Sequence, residues 1–142
     1  MLVKRTSAGI FKNNCCIMGN NEIQNLTVIG VNYFRFQFMS TGPVSVTWGD
    51  GNTTLYNTAS PTTYLVPSHS YNSTGTWNII INNPQNITAL YFNYGSSWNG
   101  NKISTNLIWF KQFYNLTRLE LTNATFTGEL GSVINTHLTK LI

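Results

Sequence analysis

Between Tyr33 and Phe38 a phenylalanine stands at every second position: Phe34, Phe36 and Phe38, with Tyr33, Arg35 and Gln37 between them. Side chains along an extended strand point alternately to opposite faces, so this run has one face for a core and one for solvent. Val44, Val46 and Trp48 repeat the pattern with Ser45 and Thr47 outward, as do Trp77, Ile79 and Ile81. A one-faced strand is stable only when its apolar side is covered, so such a chain must build at least two layers. Leu26, Val28 and Val31 begin a further strand, and short strands are expected at Thr53 to Tyr56 and Thr62 to Val66. Ser40-Thr41-Gly42-Pro43 reads as a turn making a hairpin of Tyr33–Phe38 with Val44–Trp48, while Pro67 and Gly75 punctuate the later strands. The expected class is mainly β. Turn signals every 8–12 residues or so are those of a sandwich or barrel.

Residues 1 to 22 show no period and read as an extended N-terminal arm or loop. Lys4, Arg5 and Lys12 gather there, and the arm is a candidate for docking on an acidic neighbour. The remaining cations are scattered, and the net charge of +4 reflects scarce acids. A nucleic-acid surface needs clustered cations to displace counterions, so no nucleic-acid partner is expected. No stretch has the length of a membrane span. Met1-Leu2-Val3-Lys4-Arg5 opens like an export signal, but Lys12, Asn13 and Asn14 interrupt the apolar run such a signal needs. Charged residues make up 8% of the chain, against about 25% in an ordinary soluble protein. A neutral surface rich in Asn, Thr and Ser suits packing against other protein or hydrogen-bonding to sugars, so homo-oligomers and larger assemblies are expected.

Chemistry is hard to place. The acids are Glu22, Asp50, Glu120 and Glu129, and the histidines His69 and His137. Glycoside hydrolysis needs two facing carboxylates, and a serine or cysteine nucleophile needs a base with its own orienting partner. Cys15 and Cys16 are adjacent, which suits neither a disulfide with each other nor a zinc site. No enzyme activity, cofactor or metal is expected. Among the aromatic residues, Trp98, between Gly95 and Gly100, is the best candidate for a sugar or protein contact.

Trp48-Gly49-Asp50-Gly51 carries a mechanism of its own: glycines flanking an aspartate permit positive φ, and the carboxylate can accept backbone N–H bonds within the turn. His69-Ser70-Tyr71 and Gly75-Thr76-Trp77 follow. Val44 to Gly51, His69 to Tyr71 and Gly75 to Ile81 together resemble the polycystic-kidney-disease (PKD) repeat, an immunoglobulin-like β-sandwich. The likeness covers roughly residues 24 to 84, with Trp77 where the family usually has tyrosine. It implies a sandwich over residues 23–84 in which Trp48, Gly49, Asp50, Gly51, His69 and Tyr71 define the fold rather than perform chemistry.

After Pro84 the rhythm changes. Ile87-Thr-Ala-Leu90-Tyr-Phe92 is echoed by Leu116-Thr-Arg-Leu119-Glu-Leu121 and by Leu138-Thr-Lys-Leu141, about 29 and 22 residues apart. Those intervals lie in the range of leucine-rich repeats, in which each such run is a strand facing a stacked core. Leu107, Phe110 and Phe113 or Tyr114 fall near helical spacing, as a return helix would. Residues 85–142 therefore resemble a short leucine-rich-repeat-like βα segment. A solenoid end exposes an apolar cross-section, so Leu141 and Ile142 are expected to need cover, either from a partner chain or from further repeats.

The sum of these features is similar to phage virion structural proteins: a head or tail fibre, decoration or adaptor protein, located in the virion and contacting other virion proteins. The alternative is a bacterial cell-surface adhesin or carbohydrate-binding module that meets a host-surface glycan.

Overall fold

A computed structural model describes residues 25–92, 103–121, 125–129 and 137–142. The chain is mainly β, with eleven strands among the described residues. Four form an antiparallel sheet in the order β1 (Asn25–Arg35), β6 (Ser68–Asn82), β3 (Val44–Thr47), β4 (Thr53–Tyr56). A second, five-stranded sheet runs β11 (Lys140–Leu141), β9 (Arg118–Glu120), β7 (Ile87–Tyr91), β2 (Gln37–Ser40), β5 (Ser60–Leu65). The remaining two, β8 (Ser104–Asn106) and β10 (Thr125–Thr127), pair in parallel. A bridge between Val28 and Ile103 brings β8 alongside β1.

The alternating phenylalanines do more than line one strand. Phe34 lies in β1, Phe38 in β2, and Phe36 at the point where the chain leaves the first sheet for the second. All three are fully buried. A second crossing, from β5 to β6, lies at Val66–Pro67, and the Phe36 N–H donates to the Pro67 carbonyl at 3.1 Å. One hydrogen bond thus ties both crossings together. Val44, Val46, Ile79 and Ile81 from the first sheet and Phe38, Leu90 and Leu119 from the second join one buried cluster.

The crossing corrects the expected hairpin. β2 pairs with β5 and β7, whereas β3 pairs with β4 and β6. The Ser40–Pro43 turn therefore passes between sheets, because Phe38 and Val46 can then face each other across the core. The true hairpin is β3–β4, closed through the turn that follows Trp48. Gly75 likewise does not end a strand; it lies inside β6, opposite Val31, at a register shift of the β1–β6 pair.

Beyond Pro84 the three Leu-rich runs lie side by side. β7, β9 and β11 are parallel and in register, with Leu90 opposite Leu119 and Leu119 opposite Leu141. The threonine before each run has a fixed job. Thr117 Oγ1 donates to the Thr88 carbonyl at 2.9 Å, and Thr139 Oγ1 to the Thr117 carbonyl at 2.9 Å. Each backbone N–H adds a second bond to the same acceptor, 2.8 Å in both cases. The return segment differs from expectation: Leu107–Gln112 is a 3-10 helix rather than an α-helix. Its tighter turn suits a six-residue piece that must bury Leu107, Trp109 and Phe110 together. Asn106 caps it, its side chain accepting from the Ile108 N–H at 2.9 Å.

Residues on both sides of Pro84 share a core through their rings. Phe36 stacks on Phe92 at 5.8 Å, and Phe92 meets Trp109 and Phe110 edge-on at 6.3 Å each. Phe36→Ala removes the ring at the centre of this run and should cost about 3–5 kcal/mol of unfolding free energy. Urea denaturation of the two proteins measures the loss.

Candidate functional site

The turn after β3 gathers most of the residues that the sequence marks out. Trp48 is fully buried and its indole N–H donates to Thr54 Oγ1 at 2.9 Å. Gly49 and Gly51 have φ of 90° and 94°, a region that side-chain-bearing residues seldom adopt. At Gly49 a Cβ would lie 2.7 Å from the Asn78 carbonyl oxygen, so this glycine also permits the turn to lie against β6. Between them, Asp50 accepts from the Asn52 backbone N–H at 3.0 Å and from the Asn52 side-chain amide at 3.0 Å.

β6 brings His69 and Tyr71 to the same turn. His69 Nε2 lies 2.7 Å from Asp50 Oδ2. Its ring stacks on Trp48, centroids 5.1 Å apart and planes within 11°, and meets Tyr71 edge-on at 4.8 Å. Tyr71 donates its hydroxyl to the Trp48 carbonyl at 2.9 Å and stacks on Trp77 at 4.3 Å. Trp77 in turn donates its indole N–H to the Val31 carbonyl at 3.0 Å. Trp48, Gly49, Asp50, Gly51, His69 and Tyr71 thus form one cluster with Asn52 and Trp77. Partial burial pushes the Asp50 carboxyl up, but the hydrogen bonds from His69 and Asn52 and the His69 charge outweigh it and hold the group at about 2. Burial, then the Asp50 charge, push the Tyr71 phenol well above its ordinary range.

An Asp–His pair invites comparison with hydrolytic sites, where the histidine must also reach a nucleophile. Here His69 bonds to Asp50, stacks on Trp48 and meets the Tyr71 ring edge-on, while the Tyr71 hydroxyl is turned to the Trp48 carbonyl. The Asp50 carboxylate, His69 Nε2 and the Tyr71 hydroxyl are bonded within the cluster, and the two indole N–H groups donate to Thr54 Oγ1 and the Val31 carbonyl. The arrangement locks a turn onto a strand. Among the described residues no group of three His, Cys, Asp or Glu side chains lies together, and no helix is long and apolar enough to cross a membrane.

A second constellation, on the opposite face of the five-stranded sheet from the core, was not anticipated. Arg118 donates to Glu120 Oε1 at 2.9 Å and lies over the Tyr91 ring, 4.9 Å from its centroid. Tyr64 meets Tyr91 edge-on at 4.3 Å. Burial, then Tyr64 and Glu120, raise the Tyr91 phenol. The signal was available: Arg118 and Glu120 flank Leu119 in a strand, so they must share the face that Leu119 does not use.

Much of the outer face of the four-stranded sheet is lined by hydroxyls and amides, beside the exposed Leu55 of β4 and with Arg35 at the end of β1. Thr27 donates to Asn78 Oδ1 at 2.9 Å, Thr47 and Thr53 hydroxyls meet at 3.1 Å, and Asn82 donates to Ser45 Oγ at 3.1 Å. No Asp, Glu, Lys or Arg occurs along β3, β4 or β6. Leu141 and Ile142, at the edge of the five-stranded sheet, are 38% and 55% exposed. Lys4, Arg5, Lys12 and Trp98 lie outside the described residues.

No protein-family model matches this chain, and neither any curated protein nor any solved structure is similar to it.

Two outcomes follow from the turn. Gly49→Ala meets both positive φ and the Asn78 carbonyl, and should lose about 3 kcal/mol or more, whereas Gly51→Ala, with open space around it, should lose about 1–2 kcal/mol; chemical denaturation ranks them. Because folding lowers the Asp50 pKa, its stabilising effect is complete above the unfolded value near 4 and is lost as pH falls toward about 2. Thermal melts of wild type should drop across that window more than melts of Asp50→Asn, which is less stable at neutral pH and lacks this part of the acid dependence.

Proposed function

We propose that the chain is a non-enzymatic structural module: a PKD-like β-sandwich continued, through its second sheet, by a leucine-rich-repeat-like coil. The observation that carries this reading is the use to which the chemically capable residues are put. Asp50, His69 and Tyr71 direct their polar atoms at one another, at Asn52 and at the Trp48 backbone, leaving a locked turn rather than a reaction centre. The in-register parallel strands, stepping through Leu90, Leu119 and Leu141, support the repeat-like reading.

Within that reading the chain serves in a phage particle as a fibre, decoration or adaptor protein, joined to other virion proteins and to its own kind. A face rich in Asn, Thr and Ser and a sheet edge with exposed Leu141 and Ile142 are surfaces that suit burial against protein, since few charges there would have to be desolvated. The same hydroxyl- and amide-lined face favours a second reading, a bacterial cell-surface adhesin or carbohydrate-binding module.

Mass spectrometry of purified phage particles should recover peptides of this chain at structural stoichiometry. Their absence, together with glycan-array binding by the isolated protein, would replace the first reading by the second.

A further inference from the structure

The two edges of the five-stranded sheet match each other. β5 is antiparallel to β2, and β2 is antiparallel to β7, so β5 runs in the same direction as β7, β9 and β11. All four strands include or adjoin the same tripeptide pattern: Thr63-Tyr64-Leu65, Thr88-Ala89-Leu90, Thr117-Arg118-Leu119 and Thr139-Lys140-Leu141. Leu65 pairs with Phe38, Phe38 with Leu90, Leu90 with Leu119 and Leu119 with Leu141. One inward row therefore begins and ends on a leucine of the same motif.

The backbone groups match as well. On β11, Lys140 and Ile142 donate their N–H groups to the Thr117 and Leu119 carbonyls, both at 3.1 Å, so alternation turns the Leu141 N–H and C=O and the Thr139 C=O outward. On β5, Leu65 faces Phe38 and Pro67 accepts from Phe36, so the Tyr64 and Val66 amides and carbonyls point away from β2. If Leu65 of a second copy is set beside Leu141, every one of these groups but the Val66 carbonyl finds a partner. Leu141 N–H donates to the Tyr64 carbonyl, Val66 N–H donates to the Leu141 carbonyl, and Tyr64 N–H donates to the Thr139 carbonyl. The last bond repeats the step already made by Lys140 N–H to the Thr117 carbonyl. The Thr63 hydroxyl would stand where the Thr139 hydroxyl stands one strand earlier.

The side chains complete the fit. Val66 and Ile142, opposite each other in this register, are 45% and 55% exposed in the single chain, and Leu141 is 38% exposed. Lys140 falls beside Tyr64 of the second copy, a cation next to an aromatic ring.

We propose that copies of this chain associate head to tail, β11 of one adding in parallel to β5 of the next, so that the five-stranded sheet continues from molecule to molecule. This deepens the structural reading above and rests on it. Such a contact is heterologous: each copy retains one free β5 and one free β11, so assembly grows until it closes into a ring or continues as a filament.

Sedimentation velocity of the full chain over a concentration series tests the arrangement, using two variants at exposed positions whose folding is checked by circular dichroism. Wild type should grow in mass with concentration. Val66→Lys and Ile142→Glu, each alone, should weaken association by about tenfold or more, because each places a charge against an aliphatic partner. An equimolar mixture of the two should recover association, since Glu at one edge then meets Lys at the other. A wild type that stays monomeric throughout would overturn the proposal. So would loss with Ile142→Glu but not with Val66→Lys, which marks β11 pairing with itself, and so would association that neither variant changes. None of these results bears on recovery of the chain from purified particles, so failure of the head-to-tail contact is distinguishable from failure of the structural reading.

Discussion

The pairing of β2 with β7 is the contact on which the architecture depends. Among the described strands, β2 joins the antiparallel half of the second sheet to the parallel half: β5 lies on one side of it, and β7, β9 and β11 follow on the other. The pair is held by backbone bonds, but burial of Phe38 beside Leu90 fixes its register, because a slip of β2 by one residue would turn Phe38 to the outer face. Phe36 then carries the core past the crossing and into contact with Phe92. Without this pairing the Leu-rich runs would have no template on which to stack.

Once β7 is in place, the parallel strands follow one rule. A threonine hydroxyl and its own amide both donate to the carbonyl of the preceding threonine, and two residues later a leucine enters the inner row. Two donors on one acceptor pin the start of each strand. This gives a physical reason for the recurring Leu-Thr-x-Leu and Ile-Thr-x-Leu. Threonine supplies β-compatible branching and a hydroxyl within reach of the neighbouring strand.

The cluster at Trp48 illustrates how polar and aromatic residues can hold a turn against a strand. The Asp50 carboxylate and His69 imidazole are bonded to each other, and the Tyr71 phenol is bonded to the Trp48 carbonyl, in a turn that must pass close to β6. Ring stacking between Trp48 and His69 and between Tyr71 and Trp77 covers the polar contacts on the core side. The depressed Asp50 carboxyl follows from the same packing, since the bonds that hold the turn are bonds to its ionised form.

Local pattern alone determined a good deal. Period-two alternation located the strands around Phe34–Phe38, Val44–Trp48 and Trp77–Ile81, and the recurrence of Thr-x-Leu marked three strands that lie in register. Glycine on either side of Asp50 marked a positive-φ turn, because that conformation is a property of the residue itself. What alternation cannot carry is the identity of the partner strand: Phe34, Phe36 and Phe38 read the same whether the strand stays in one sheet or crosses to another. Only the three-dimensional packing settled that the chain crosses at Phe36, that Gly75 lies within a strand, and that the segment at Leu107 winds as a 3-10 helix. The grouping of Arg118, Glu120, Tyr91 and Tyr64 was likewise decided by pairing, since three strands had to come together before four distant side chains could share a face.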